Sequence, residues 1–390
     1  MRVNFFQGYF MSAPLIVIGT GLAGYNLVKE FRKLDADREV IMLTSDDGRQ
    51  YSKPMLSTGF SKQKDDSDLA MNDAGAMSVQ LSVEIRTFQT ITKIDADSKI
   101  VYVNEDAIPY GQLVLALGAA PINLPFKGAE FALHVNDLMD YQVFYQAVQG
   151  KKRIAVIGAG LVGSEYAHDL ASAGYGVDLI APEQQPLSNL IPDVCGQALI
   201  PALEALGVTL HMGKTANEIT QHATGYSVVL NDGTTLDCDV ILSAVGLRAR
   251  TQLASDAGLV IEKGIQVDRL LKTSNENIYA LGDCAQVDGL HLLYVLPLMN
   301  SARALAKTLS GTATEVKYPV MPVMVKTPSL PIVTCPPAEG SAGIWEIDGQ
   351  SPHLQVLFKD SAGNLLGYTL TGERVAEKMK LNKQLPAMLA

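Results

Sequence analysis

Two stretches of this chain share one pattern, and that pattern limits the fold more than any other feature. Leu15–Phe31 reads LIVIGTGLAGYNLVKEF and Ile154–Leu170 reads IAVIGAGLVGSEYAHDL. In each, an apolar strand enters a glycine turn and an amphipathic helix opens. The turns are Gly19-Thr20-Gly21-Leu22-Ala23-Gly24 and Gly158-Ala159-Gly160-Leu161-Val162-Gly163. The first glycine of each permits the tight turn, the second lets a pyrophosphate approach the backbone, and the third packs helix on strand. The helix N-terminus then offers unpaired N–H groups and the positive end of its dipole. A bare GxGxxG also occurs in turns without a ligand. Here each turn has a strand before it, a helix after it and an acid near the end of the next strand. Gly24 to Asp46 is 22 residues and Gly163 to Glu183 is 20. Two dinucleotide sites are therefore expected. In the first helix, Leu27, Val28, Phe31 and Leu34 are expected on one face.

The acid discriminates between ligands. A carboxylate accepts a ribose hydroxyl and repels a 2′-phosphate. Ile180–Leu190 contains no Arg or Lys, so a 2′-phosphate finds no partner within it. The second site reads as NAD rather than NADP, the competing reading being that Glu183 is a solvated loop acid.

The repetition extends past the turns. After the first comes a buried strand, EVIMLTSDD, then short strands through EIRTFQTITKIDADSKIVYVNEDAIPYGQLVLALG, closing at Gly118. After the second come GVDLIAPE and EITQHATGYSVVLNDGTTLDCDVILSAVG, closing at Gly246. First to closing glycine spans 99 residues in one unit (Gly19 to Gly118) and 88 in the other (Gly158 to Gly246). The expected fold is α/β: two doubly wound Rossmann-like domains with inserted β-meanders, plus a small C-terminal α+β domain. In that last domain HLQVLFKDSAGNLLGYTLTG reads as a hairpin turning at Ser361–Asn364, and ERVAEKMKLNKQL as a helix.

Composition excludes several classes. A net charge of −10 argues against general affinity for nucleic acid or an anionic membrane. No apolar run is long enough to span a bilayer. The opening MRVNFFQGYF lacks the features of a signal peptide, so either Met11 reads as the native start or residues 1–10 read as a disordered extension, and the location reads as cytoplasmic. Cys195, Cys238, Cys284 and Cys335 are widely spaced, which suits neither a disulfide framework nor a metal site.

After Gly246 the chain reaches NIYALGDCA, a short strand stopping at Gly282-Asp283. That aspartate suits a sugar-alcohol chain or a plain turn. Together with YGQLVLALG and DVILSAVGLRART, these motifs resemble the two-dinucleotide-binding flavoprotein oxidoreductases over nearly the whole chain. The resemblance implies FAD on the first unit and NAD on the second, with the later segment rejoining the FAD domain. The expected division is 11–120 and 247–314 for FAD, 121–246 for NAD, and 315–390 covering the flavin. For FAD it implies Gly19, Thr20, Gly21, Leu22, Ala23, Gly24, Ser45, Asp46, Lys53, Ile91, Gly118, Glu165, Asp283, Val295 and Lys326. For NAD it implies Gly158, Gly160, Leu161, Val162, Gly163, Glu183 and Gly246.

Branches of that family carry one or two cysteines just after the first unit. Asp46–Lys62, DDGRQYSKPMLSTGFSK, has none. Without a thiol relay, reduced flavin must deliver electrons directly to an outside acceptor. YSKPMLS, PVMVKTP and LPLMNSARALAKTLSG resemble the rubredoxin–NAD(+) reductases. Thr58 stands where broader relatives have a lysine, which leaves Lys53 as the cation beside the flavin, paired by the resemblance with Glu165. Lys326 would approach the pyrimidine side, the Val295 N–H a flavin carbonyl, and the Ile91 backbone the adenine. The implied chemistry is hydride in from NADH and single electrons out to rubredoxin. Rubredoxins are typically acidic, and Lys62, Lys64, Arg303 and Lys307 are cations available to such a partner. Reduction of a flavorubredoxin or ferredoxin, an NADH oxidase or peroxidase, and a flavin-based redox sensor remain as alternatives. Oligomeric state, monomer or homodimer, stays open.

Overall fold

The computed structural model describes residues 13–104 and 106–390. The expectations for residues 1–10 and for a start at Met11 lie outside the described residues. The chain groups into two units. One runs to Gln50 and continues through Asn72–Ala119 and Ala249–Val316; the other comprises Tyr51–Met71, Ala120–Arg248 and Lys317–Ala390.

The first unit is built on a five-stranded sheet. Its order is Ile278–Ala280, Gln112–Leu115, Leu15–Ile18, Val40–Leu43, Glu84–Arg86. All four pairings are parallel. Leu15–Ile18 and Val40–Leu43 are buried along their whole length, which explains why the sequence shows apolar runs there and not alternation. Ile278–Ala280 lies beside Gln112–Leu115, so the chain returns to this sheet after a long excursion. The helix Leu22–Arg32 buries Leu27, Val28 and Phe31. Leu34 falls past its end and is 52% exposed, because the helix stops at Arg32, before the face reaches it. Ile91–Asp95, Ile100–Val103 and Asp106–Pro109 form the antiparallel meander expected from their short alternating runs.

The second unit repeats the plan with four parallel strands, in the order Val208–Met212, Gly176–Ala181, Arg153–Ile157, Val240–Ser243. Its meander is Ala216–His222, Gly225–Leu230 and Thr235–Cys238. The same unit contains a five-stranded antiparallel sheet, ordered Val323–Val325, Ile332–Cys335, Leu365–Thr371, His353–Lys359, Ile344–Gln350. One apolar core joins the two sheets, running from Ile154, Leu170 and Leu199 to Ile332 and Val356. The expected hairpin is His353–Lys359 with Leu365–Thr371, and Asp360 Oδ1 accepts from the N–H groups of Ala362 and Asn364 in the turn.

The C-terminal segment departs from expectation. It is a 3-10 turn, Gly372–Glu377, followed by a short α-helix, Lys378–Asn382. Its sheet-facing apolar residues are Val375, Leu381 and Leu385. Val375 and Leu381 are six apart, a spacing that one α-helical face does not hold.

Candidate cofactor and electron-transfer sites

Both glycine turns sit at the carboxyl end of a central parallel strand, where doubly wound sheets take their ligands. In the first unit Gly19 has φ +113°, and a Cβ there would overlap the Ala116 carbonyl. A Cβ on Gly24 would overlap the Gly19 carbonyl. Gly21 is different: a Cβ there meets nothing within 4 Å. Two glycines are required by the protein's own packing, and one leaves open space in front of the helix. That helix has no side-chain N-cap, so its first N–H groups face this space. The cradle fits a pyrophosphate. Leu22 and Ala23 are the first two helical residues.

Asp46 has work within the unit. Its Oδ1 accepts from Thr20 Oγ1 at 3.2 Å, Thr44 Oγ1 at 2.7 Å and Gly48 N at 2.9 Å. The acid thereby ties the end of the second strand to the glycine turn, and Ser45 beside it is exposed. Ile91 opens the meander. Gly118 has φ +66°, and its carbonyl accepts from Arg250 N at 3.1 Å. Asp283 lies in a 3-10 turn, and its carbonyl accepts from His291 Nε2 at 3.0 Å. Val295 begins a 15-residue helix that also lacks a side-chain N-cap.

The second unit shows the same division of labour. A Cβ on Gly158 (φ +106°) would crowd the Ala244 carbonyl at 2.5 Å, and one on Gly163 would overlap the Gly158 carbonyl. A Cβ on Gly160 meets nothing within 4 Å, and the helix Leu161–Ser172 has no side-chain N-cap. Val162 is 42% exposed in its first turn. Glu183 follows the next strand, half-buried, and its carbonyl accepts from Gly213 N at 2.8 Å. Gly246 takes φ +115°, and its carbonyl accepts from Ile122 N at 3.0 Å.

The helix Leu161–Ser172 buries Glu165, His168 and Asp169. Each holds a segment from outside the nucleotide fold. Glu165 accepts from Ser57 Oγ at 2.7 Å, from Lys326 N at 3.0 Å and from Lys326 Nζ. Asp169 accepts from Phe60 N at 2.8 Å, Ser61 N at 3.2 Å and Ser61 Oγ. His168 Nε2 accepts from Ser329 N at 3.2 Å. Burial lowers the His168 pKa, favouring the neutral ring that this bond needs, and burial raises that of Asp169. Lys53 Nζ donates to Asn136 Oδ1 at 2.8 Å. The expected pairing of Glu165 with Lys53 is replaced: Glu165 forms its ion pair with Lys326, and the 3-10 turn Lys53–Thr58 reaches the carboxylate through Ser57 and not through its lysine. Sequence reasoning missed His168 and Asp169. Their signal was present: Glu165, His168 and Asp169 fall at i, i+3 and i+4 in a helix rich in apolar and small residues.

All four cysteines are free and buried. Burial pushes the Cys195 and Cys238 thiols up to about 12 and that of Cys335 to about 11. Thiols held protonated in the core are poor nucleophiles. Among the described residues no helix is long and apolar enough to cross a membrane.

Residues 13–306 match the pyridine nucleotide-disulphide oxidoreductase family, and residues 315–385 match the rubredoxin binding C-terminal domain. A rubredoxin-NAD(+) reductase of Alcanivorax borkumensis is 51% identical over 379 residues, covering 96% of this chain and 99% of the relative. The chain belongs to the rubredoxin–NAD(+) reductases. A nitric oxide reductase FlRd-NAD(+) reductase of Aliivibrio fischeri is 35% identical, with 96% of this chain and 99% of the relative covered. Among solved structures, the NADH:rubredoxin oxidoreductase of Clostridium acetobutylicum superposes with a TM-score of 0.81 at 19% identity, covering 96% of this chain and 95% of that one. At that identity the likeness shows the fold alone.

Proposed function

We propose that this protein is an NADH-dependent, FAD-containing reductase of rubredoxin. The observation that carries the reading is the rubredoxin-binding domain match at residues 315–385, following a body with two open dinucleotide turns and no exposed thiol among the described residues. When bound, FAD supplies the conversion between a two-electron donor and a one-electron acceptor.

The protein's own residues then have these tasks. Gly21 and the N-terminus of Leu22–Arg32 take the FAD pyrophosphate, with Gly19, Thr20, Ala23 and Gly24 shaping the turn. Asp46 braces that turn through Thr20, and Ser45, Ile91, Gly118, Asp283 and Val295 complete the FAD set. Gly160 and the N-terminus of Leu161–Ser172 take the NADH pyrophosphate, and Glu183 accepts from its ribose. Glu165 fixes Lys326 and Ser57, and Lys53 and Lys326 supply positive charge for the reduced cofactor. Residues 11–120 with 247–314 form the FAD domain, 121–246 the NAD domain and 315–390 the cover. Buried, unpaired cysteines support a cytoplasmic location.

A second reading, reduction of a flavorubredoxin, is favoured by the Aliivibrio relative, at lower identity than the Alcanivorax one. Steady-state NADH oxidation with rubredoxin, a flavorubredoxin, ferredoxin, hydrogen peroxide or no added acceptor tests the proposal. Rubredoxin is expected to give the highest kcat/KM. A higher value with flavorubredoxin would transfer the assignment to the second reading, and turnover dependent only on oxygen or peroxide would reject both.

A further inference from the structure

Glu183 by itself does not decide between NADH and NADPH, because a cation stands next to its loop. Gly176–Ala181 and Val208–Met212 are parallel neighbours, with Ala181 opposite Met212. Two residues past Met212, Lys214 N donates to the Ala181 carbonyl at 3.0 Å, and Gly213 N donates to the Glu183 carbonyl at 2.8 Å. Lys214 therefore leaves the sheet at the end where the adenosine ribose is expected. An ammonium at that point can pair a 2′-phosphate as a point charge. Ile180–Leu190, the segment that the sequence offers for judging 2′-phosphate binding, contains no such group.

The Lys214 side chain is turned elsewhere. Its Nζ lies 2.7 Å from Asp232 Oδ2. Asp232 belongs to the turn between Gly225–Leu230 and Thr235–Cys238, and its Oδ1 accepts from Thr234 N at 3.0 Å. The turn is tied back to the base of Lys214 by Asn231 N, which donates to the Thr215 carbonyl at 2.9 Å. The Lys214 hydrogen bond holds the Asp232 carboxyl well below the usual carboxylate range, so the carboxylate is ionised across the working pH range.

We infer that the Lys214–Asp232 ion pair is a coenzyme-selectivity element: Asp232 neutralises and diverts a lysine that the fold places beside the ribose-binding acid. The inference deepens the reading of this unit as an NADH site and rests on it. Selectivity then has two parts, repulsion by Glu183 and removal of the compensating cation by Asp232.

The test compares wild type, Asp232→Ala and the double variant Asp232→Ala with Lys214→Ala. Binding of 2′,5′-ADP is measured by calorimetry, and anaerobic flavin bleaching is followed against NADH and NADPH. Asp232→Ala is expected to tighten 2′,5′-ADP and lower the half-saturating NADPH concentration by about tenfold, with NADH changed by less than about twofold. The double variant is expected to return to wild-type values, and the gain is expected to shrink as salt is raised. The same pair of variants in a Glu183→Gln background reveals the lysine if acid repulsion masks it. Unchanged 2′,5′-ADP affinity in both backgrounds, with NADH reduction normal, overturns the inference. So does a gain that survives Lys214→Ala. Failure of the wild type to be reduced by NADH would reject the underlying NADH reading as well, and is distinguished by that control.

Discussion

Glu165 ties two segments distant in sequence to one helix. Its carboxylate is buried and answers three donors. Glu165→Ala strands Ser57, the Lys326 N–H and the Lys326 ammonium. A stability loss of about 1–3 kcal/mol is expected, the cost of an unmet buried polar group, together with slower flavin reduction by NADH. Denaturant titration and rapid mixing read the two effects, and unchanged values in both would remove Glu165 from the site. His168 sets a pH dependence. Burial depresses its folded pKa below the ordinary 6.5, so its contribution is complete above about pH 6.5 and is lost as pH falls from there through the folded value. Asp169 runs the other way: its folded pKa is raised above 3.8, so the cost of ionising it appears as pH rises through that lower window. His168→Gln is expected to flatten the fall of the urea midpoint as pH drops below about 6.5 while leaving the acid limb. A midpoint as steep in the variant as in wild type would contradict this. Glu165 was legible through the family resemblance, its position alone marking it only as an acid near the start of a helix. Its anchoring of Ser57 was not, because residues 108 apart in the chain meet there.

At the level of the element, the two strand–turn–helix motifs show which glycines serve the fold and which serve the ligand. Gly163→Ala drives a methyl into the Gly158 carbonyl and must displace the helix from its strand. Gly160→Ala adds a methyl to open space. The expected outcome is that Gly160→Ala keeps wild-type thermal stability and FAD content and loses NADH affinity by about tenfold or more, while Gly163→Ala loses stability as well. Equal melting temperatures for the two would show that the third glycine is not a packing residue. The parallel strands were legible because burial on both faces writes continuous apolar runs. The C-terminal segment was misread as one helix because charged residues between Val375 and Leu381 mimic an amphipathic pattern, whereas the chain forms a 3-10 turn before a short α-helix.

The whole chain presents one architectural unit twice, with a rubredoxin-binding domain behind it. Fold class was legible because the two turns impose it, and the family because its motifs run the length of the chain. The absence of a cysteine between Asp46 and Lys62 was the clue to electron exit, and the four thiols sit in the core. The central claim is that reducing equivalents leave from the flavin without passing through sulfur. Anaerobic reductive titration of the FAD-loaded protein tests it most directly, by counting electrons taken up per FAD. The account predicts close to two, the capacity of the flavin alone. An uptake close to four, with a redox-active disulfide filling alongside the flavin, would contradict it.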